Sequence, residues 1–339
     1  MAIFVSTDAG KGFTKLGVFD GNKVSQHYYA TKYSPGDFCD DALERNTFIA
    51  EVDGKVYKVG KGASKDAEMQ LTKKSEIHRV TTLVSLAMAT PAGSDEVTEL
   101  SVVIGCPLLE YADPKKRKEY MDYILPDGDV SVKVKLKSDE EPEVRTFRII
   151  EKKVLPETSG EFFLNIDEYD GEMVGFIDIG NGQMNGSVCD DYELDHEFDI
   201  TTADGGNKLI KSLSDTLTTK YSNFNYKYTI NLLKKPADER YLPLATEEEK
   251  MECKKFIHEH IIAYLNGIKE ACRGKNWSLD YMKIYFSGGT ALLIKDEIKE
   301  VFGENIAFSK YGFFSNCLGW LRRIVIKANP DTDILKYLN

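Results

Sequence analysis

Three short stretches of this sequence carry residue types and spacings suited to holding a phosphate. In the first, Asp8-Ala9-Gly10-Lys11-Gly12-Phe13-Thr14-Lys15, an apolar run ends in a carboxylate and enters a Gly-rich turn. Consecutive backbone N–H groups in such a turn form an anion-binding nest, because glycine takes the required φ values cheaply. Lys15 adds a point charge at the start of the returning strand. Asp8 is placed to hold Mg²⁺ through water, since hard cations prefer oxygen ligands. An ordinary hairpin turn has the same composition, and on this motif alone both readings stand.

The second stretch, Phe176 to Asn185, repeats the logic: apolar strand, terminal Asp178, then Gly180-Asn181-Gly182-Gln183. Its glycines invite comparison with a dinucleotide fingerprint, which should open a helix. Ser187 to Leu194 is instead β-branched and charged, with no helical face. No GxxxxGK[ST] occurs, which excludes a Walker loop. In the third stretch, the strand Met282 to Phe286 runs into Ser287-Gly288-Gly289-Thr290 at a helix start. There a flat ring or a phosphate can approach the backbone closely. Tight packing explains a Gly-Gly pair equally well.

The elements that must position these turns follow from periodicity. Ile3 to Thr7 and Thr14 to Phe19 read as a hairpin, and Thr47 to Val59 as another, turned by Asp53-Gly54. Residues 31–47 read as polar and irregular. Ile77 to Thr90 has helical spacing, Ser101 to Gly105 reads as a buried strand, and Asp113-Pro114 opens a basic helix to about Leu125. Val130 to Leu136 and Val144 to Val154 alternate as strands. In the second half, Met173 to Ile179 and Ser187 to Leu194 are strands and 180–186 a turn. Helices are expected at about 203–220, 247–273, from Thr290 to Phe302, and at 313–327. Both halves thus open on strand, Gly turn and returning strand, which predicts two related α/β domains with a cleft between them.

Composition narrows the function. At 339 residues the chain is about two average domains. With 44 basic and 55 acidic residues its net charge is −11, which argues against direct binding along a nucleic-acid backbone. Mean hydropathy is −0.35 and no run approaches a membrane span. The opening MAIFVSTDAGKG lacks the pattern of a signal peptide, so a cytoplasmic location is expected. Six cysteines without a CxxC pair read as reduced thiols. His258 and His260, two apart on a helix, point to different faces and read as solvated surface. Phe313-Phe314 reads as core, and Trp320 to Arg323 as part of a closing helix of mixed faces.

The order of the three turns resembles the first phosphate, second phosphate and adenosine loops of the actin-like ATPase superfamily. Within it, Leu155-Pro156-Glu157-Thr158-Ser159-Gly160 is similar to the Pro-Glu segment of bacterial plasmid-segregation actins of the ParM/StbA family. Gly105-Cys106-Pro107-Leu108 and Ser315-Asn316-Cys317-Leu318-Gly319 look like two further segments of that family. Asn181-Gly182-Gln183-Met184 departs from its usual Gly-Thr-Thr, so a hydroxyl expected near phosphate is absent.

The resemblance implies an α/β, actin-like (ribonuclease-H-like) two-domain ATPase fold with a nucleotide cleft. The first domain would span 1–170, with an inserted subdomain at 31–75, completed by 313–339. The second would span 171–312, with a smaller subdomain at 203–275. It further implies ATP or ADP with Mg²⁺, the metal held by Asp8 and Asp178, and Glu157 orienting the attacking water. Nucleotide contacts would come from Gly10, Lys11, Gly12, Thr14, Lys15, Gly180, Asn181, Gly182, Gln183, Gly205, Gly206, Ser287, Gly288, Gly289 and Thr290. The implied activity is ATP hydrolysis coupled to a filament of this chain that segregates plasmid DNA. A DNA-binding adaptor at a centromere-like site would make the link, with no direct nucleic-acid contact and no membrane. A small-molecule kinase or a non-polymerising chaperone-type ATPase on the same fold is the alternative.

Overall fold

The computed structural model describes residues 2–66, 72–93, 96–169, 171–221, 225–244 and 246–338. Parts of the expected subdomains (67–71, 222–224 and 245) and the expected domain boundary at Asp170 lie outside the described residues. The chain forms two compact units, Met1–Leu164 with Phe314–Asn339, and Asn165–Phe313.

Strands β1 (Ile3–Ala9), β2 (Phe13–Phe19), β3 (Val24–Ala30), β4 (Lys32–Pro35), β5 (Thr47–Val52), β6 (Lys55–Gly60) and β7 (Lys65–Asp66) open the first unit. Then follow α1 (Glu76–Ala89), β8 (Thr98–Cys106), α2 (Leu108–Tyr111), α3 (Pro114–Ile124), β9 (Asp129–Lys135), β10 (Glu143–Pro156) and α4 (Ser159–Leu164). The second unit holds β11 (Val174–Ile179), β12 (Met184–Asp190), β13 (Glu193–Thr202), α5 (Gly206–Tyr221), α6 (Tyr226–Leu233) and α7 (Glu247–Gly274). It ends with β14 (Lys283–Ser287), α8 (Gly289–Leu293), α9 (Lys295–Phe302) and β15 (Ile306–Phe308), after which α10 (Ser315–Ala328) returns to the first unit.

Among the described residues the first unit has a ten-stranded sheet in the order β3-β2-β1-β8-β10-β9-β5-β6-β4-β7. Within it β1 pairs antiparallel with β2 and parallel with β8, which itself pairs parallel with β10. Parallel strands need cover on both faces, and both faces are covered. Val5, Leu100, Val102 and Ile104 pack with Val80, Leu83 and Val84 of α1, while Phe4, Phe19 and Val103 pack with Trp320, Leu321, Ile324 and Val325 of α10. The α10 contact is close because of glycines. A Cβ on Gly319 would lie 1.9 Å from the carbonyl oxygen of Gly160, and one on Gly105 would lie 2.1 Å from the Trp320 ring. The second unit has a five-stranded sheet, β13-β12-β11-β14-β15, with Ile177, Ile179 and Met184 packed among side chains of α5 and α7.

The helices expected from Asp113-Pro114 and at about 247–273 form, and their starts are capped. Asp113 caps α3, accepting from the N–H of Lys115 and Lys116, and Thr246 with Glu249 forms a capping box at α7. Other expectations are corrected. β4 lies inside the stretch expected to be irregular, and α6 carries no clear sequence signal. The expected strand to Leu194 is two strands, because Asp191 and Tyr192 take φ of 46° and 64° and turn the chain back. The helix expected up to Phe302 breaks at Ile294 into α8 and α9. Phe313 and Phe314 are half-buried, not core. His258 and His260 lie at the surface as expected, His258 3.1 Å from Glu300 and His260 bonded to Ser212. No helix among the described residues is long and apolar enough to cross a membrane.

Candidate functional site

In the first unit the β1–β2 hairpin sets Asp8 directly across from Lys15, and the Gly10 N–H closes the turn on the Phe13 carbonyl at 3.1 Å. Lys15 Nζ lies 2.6 Å from Asp8 Oδ2. Glu157 follows β10, where the parallel pairing of Pro156 with Cys106 and an N–H bond from Glu157 to the Cys106 carbonyl fix its backbone. The next residue, Thr158, has φ of 79°, costly for a β-branched residue and the kind of backbone that marks a constrained site.

Lys73 joins the two carboxylates. Its ammonium lies 2.5 Å from Glu157 Oε1 and 3.6 Å from Asp8 Oδ1. Only 5% of Lys73 and 4% each of Asp8 and Glu157 is exposed, so these charges meet away from bulk water. Sequence reasoning missed Lys73. It sits in no motif, 65 positions from Asp8, and only the fold brings it there.

Burial by itself pushes the Asp8 carboxyl up, but Lys15 and Lys73 outweigh it and hold it below its ordinary value. Burial, reinforced by repulsion from Lys73, lowers Lys11 to about 8, against opposing pulls from Glu157 and Glu110. His78, fully buried on α1, is lowered to about 3 by burial and then by Lys73 and Lys11. Thr14 is buried with its hydroxyl bonded to Thr31 at 2.9 Å, so its side chain serves the hairpin.

In the second unit Asp178 stands across from Asn185, and the Gly180 N–H closes its turn on the Gln183 carbonyl at 3.0 Å. Two further segments converge there. The N–H groups of Gly206 and Asn207 donate to the carbonyls of Gly180 and Asn181, each at 2.8 Å. Thr290 donates its hydroxyl to the Gly180 carbonyl at 3.2 Å. Glycine is required for this convergence. A Cβ on Gly205 would come within 2.4–2.6 Å of the backbone of 181–183, and one on Gly288, whose φ is 92°, would lie 2.2 Å from Asp178 Oδ1. The structure thus gathers Asp178, 180–183, Gly205, Gly206, Gly288 and Thr290. Ser287 and Gln183 are buried, and Gly289 is exposed.

Among the described residues no three or more His, Cys, Asp or Glu side chains group to hold a metal. Asp8 and Asp178 are single carboxylates, each one residue before the end of a strand that runs into a glycine turn, and oxygen ligands of this kind suit a hard cation.

Residues 6–160 match the family model described as the actin-like proteins N-terminal domain. No curated protein sequence matches the chain. Among solved structures, the archaeal actin homolog Ta0583 is 18% identical, aligns over 96% of this chain and 99% of its own, and gives a TM-score of 0.76. The same protein has been solved in complex with ADP (19% identity, 94% and 98% coverage, TM-score 0.69). An Alp12 filament is 23% identical over 96% and 99% of the two chains, with a TM-score of 0.70. A 15-stranded ParM filament from Clostridium botulinum is 17% identical over 94% and 98%, with a TM-score of 0.67. The chain therefore has the two-domain actin-like fold. Its first unit carries the actin-like N-terminal domain, and its structural neighbours are archaeal and bacterial actin homologues.

Proposed function

We propose that the chain is a Mg²⁺-dependent ATPase that polymerises with ATP and disassembles after hydrolysis, moving plasmid DNA apart through a DNA-binding adaptor in the cytoplasm. The observation that carries this reading is the network in which Lys15 and Lys73 meet Asp8 and Lys73 meets Glu157, on a fold shared with filaments of Alp12 and ParM.

Phosphoryl transfer rests on positioning and electrostatics more than on covalent chemistry. In this reading the 10–15 turn offers backbone N–H groups and cations to the phosphates, and the 180–183 turn, with Gly205 and Gly206, offers backbone. Asp8 and Asp178 would hold Mg²⁺, which would neutralise charge on the phosphates. Glu157 aligns a water for attack. ATP and ADP bias the protein between two states of different self-affinity. A net charge of −11 suits a filament that reaches DNA through a basic adaptor.

Right-angle light scattering against protein concentration, with Mg²⁺ and ATP, ADP or a slowly hydrolysed analogue, tests the reading. A rise above a critical concentration with ATP, followed by decay, is expected. A flat trace with ATP binding intact would move the assignment to a kinase or a chaperone-type ATPase.

A further inference from the structure

We propose that Ser159 and Trp320 are positioning residues for Glu157, fixing the backbone that carries it and so setting how fast the site turns over. This rests on the reading of Glu157 as the group that aligns the attacking water.

Glu157 lies in a segment that does not hold its shape by itself. Thr158 is β-branched with φ of 79°, a conformation that persists only where surrounding contacts over-determine it. One restraint is the bond from the Glu157 N–H to the Cys106 carbonyl at 2.9 Å. The other is Ser159. Its hydroxyl donates to the Pro156 carbonyl at 2.6 Å and accepts from the Trp320 indole N–H at 2.9 Å. An indole nitrogen only donates, so the serine oxygen must accept there, and its one hydrogen is left for Pro156. The hydroxyl thus closes the chain from Pro156 to Ser159 on itself, with Glu157 and Thr158 inside the closure.

Trp320 bears on the first restraint as well. Its ring lies against Gly105, where a Cβ would come within 2.1 Å of it, and the Gly105 carbonyl accepts from the Tyr120 hydroxyl at 2.9 Å. Gly105 precedes Cys106, whose carbonyl takes the Glu157 N–H. One side chain therefore backs both the strand from which Glu157 hangs and the serine that closes the turn behind it. Trp320 and Ser159 are both 0% exposed, so water cannot replace either bond, and losing one partner leaves the other buried and unpaired.

The consequence is kinetic. A misplacement of about 1 Å, caused away from the reacting atoms, costs about a hundredfold in rate. Binding of the phosphates by the glycine turns does not pass through Ser159.

Phosphate release at saturating Mg²⁺–ATP gives kcat, and calorimetric titration with a slowly hydrolysed analogue gives affinity. Ser159→Ala removes one oxygen and should lower kcat by about tenfold to hundredfold, with affinity changed by no more than about twofold. Trp320→Phe, which loses the N–H, should act in the same direction. In a Glu157→Ala background, Ser159→Ala should slow release no further, since the two act as a unit. A second slowing of the same size, or Ser159→Ala turning over like the unaltered chain, would overturn the assignment. Ile324→Val trims one methyl from α10 in the same apolar layer and leaves both hydrogen bonds in place, so its kcat should match that of the unaltered chain. A loss equal to that of Ser159→Ala would make the effect one of packing alone and overturn it too. Should Trp320→Phe fail to fold, Ser159→Ala alone and with Glu157→Ala decide the matter. Normal turnover by Glu157→Ala refutes the reading of Glu157, an outcome distinct from a normal Ser159→Ala beside a slow Glu157→Ala.

Discussion

The hairpins β1–β2 and β11–β12 are the same device with different chemistry. Each has an aspartate one residue before the strand end, a Gly N–H closing the turn, and a parallel strand on the far side. The residue across from the aspartate is Lys15 in one and Asn185 in the other. The first turn sits among buried lysines, Lys11 and Lys73 with Lys15 close to hand. The second is braced by 205–207 and Thr290 through backbone bonds and missing Cβ atoms. Register fixes where a strand-end turn lies, while the side chains around it decide whether it acts through charge or through close backbone approach.

Glu157→Ala probes the charged hairpin most severely. A water-orienting group is worth about 10²–10⁴ in rate, so phosphate release should slow by that factor while nucleotide binding is kept. Turnover close to that of the unaltered chain would remove Glu157 from the chemistry. Next in size, Lys15→Met should weaken Mg²⁺–nucleotide binding by about tenfold, and Asn185→Leu, its register twin, by less. Equal losses in a titration would erase the proposed division of labour. Gly205→Ala should lower stability by about 1–3 kcal/mol, because its methyl group must displace backbone of 181–183. Gly10→Ala meets one carbonyl at 2.9 Å and should cost less, so thermal unfolding of the two variants ranks the hairpins by tightness.

The smallest effect is that of pH. Lys11 titrates near 8 in the fold and near 10.5 when unfolded, so between these values the unfolded chain binds more protons and stability without nucleotide rises with pH. Phosphate affinity should fall over the same range as the cation is lost, and Lys11→Met should abolish both trends. His78, held neutral down to about pH 3, gives stability that declines as pH falls below about 6.5, and His78→Phe should flatten that limb.

Much of this was legible in the sequence where short-range rules decide. The Gly turns, the helix start at Asp113-Pro114 and the apolar run inside β8 act through neighbours in the chain. The order of the turns pointed to the actin-like fold, and Gly105, Gly160 and Gly319, noted within motifs, prove to be contact points under α10. What depends on distant partners was not legible. β3 and β4 are strands because neighbouring strands complete their ladders, not because of a strong pattern of their own. Phe313 and Phe314 are apolar yet only half-buried, and Lys73 looks like any lysine in a polar stretch until Asp8 and Glu157 close on it.

The passage of α10 back to the first unit has a bearing on how the protein is made. During synthesis the second unit, one unbroken stretch from Asn165 to Phe313, has all its strands and helices before the first unit can be completed. Phe4, Phe19 and Val103 must wait for Trp320 and Leu321 to leave the ribosome, although their own sheet was translated first. The usual order of domain maturation is reversed, and for that interval the sheet face that α10 covers has no cover from α10.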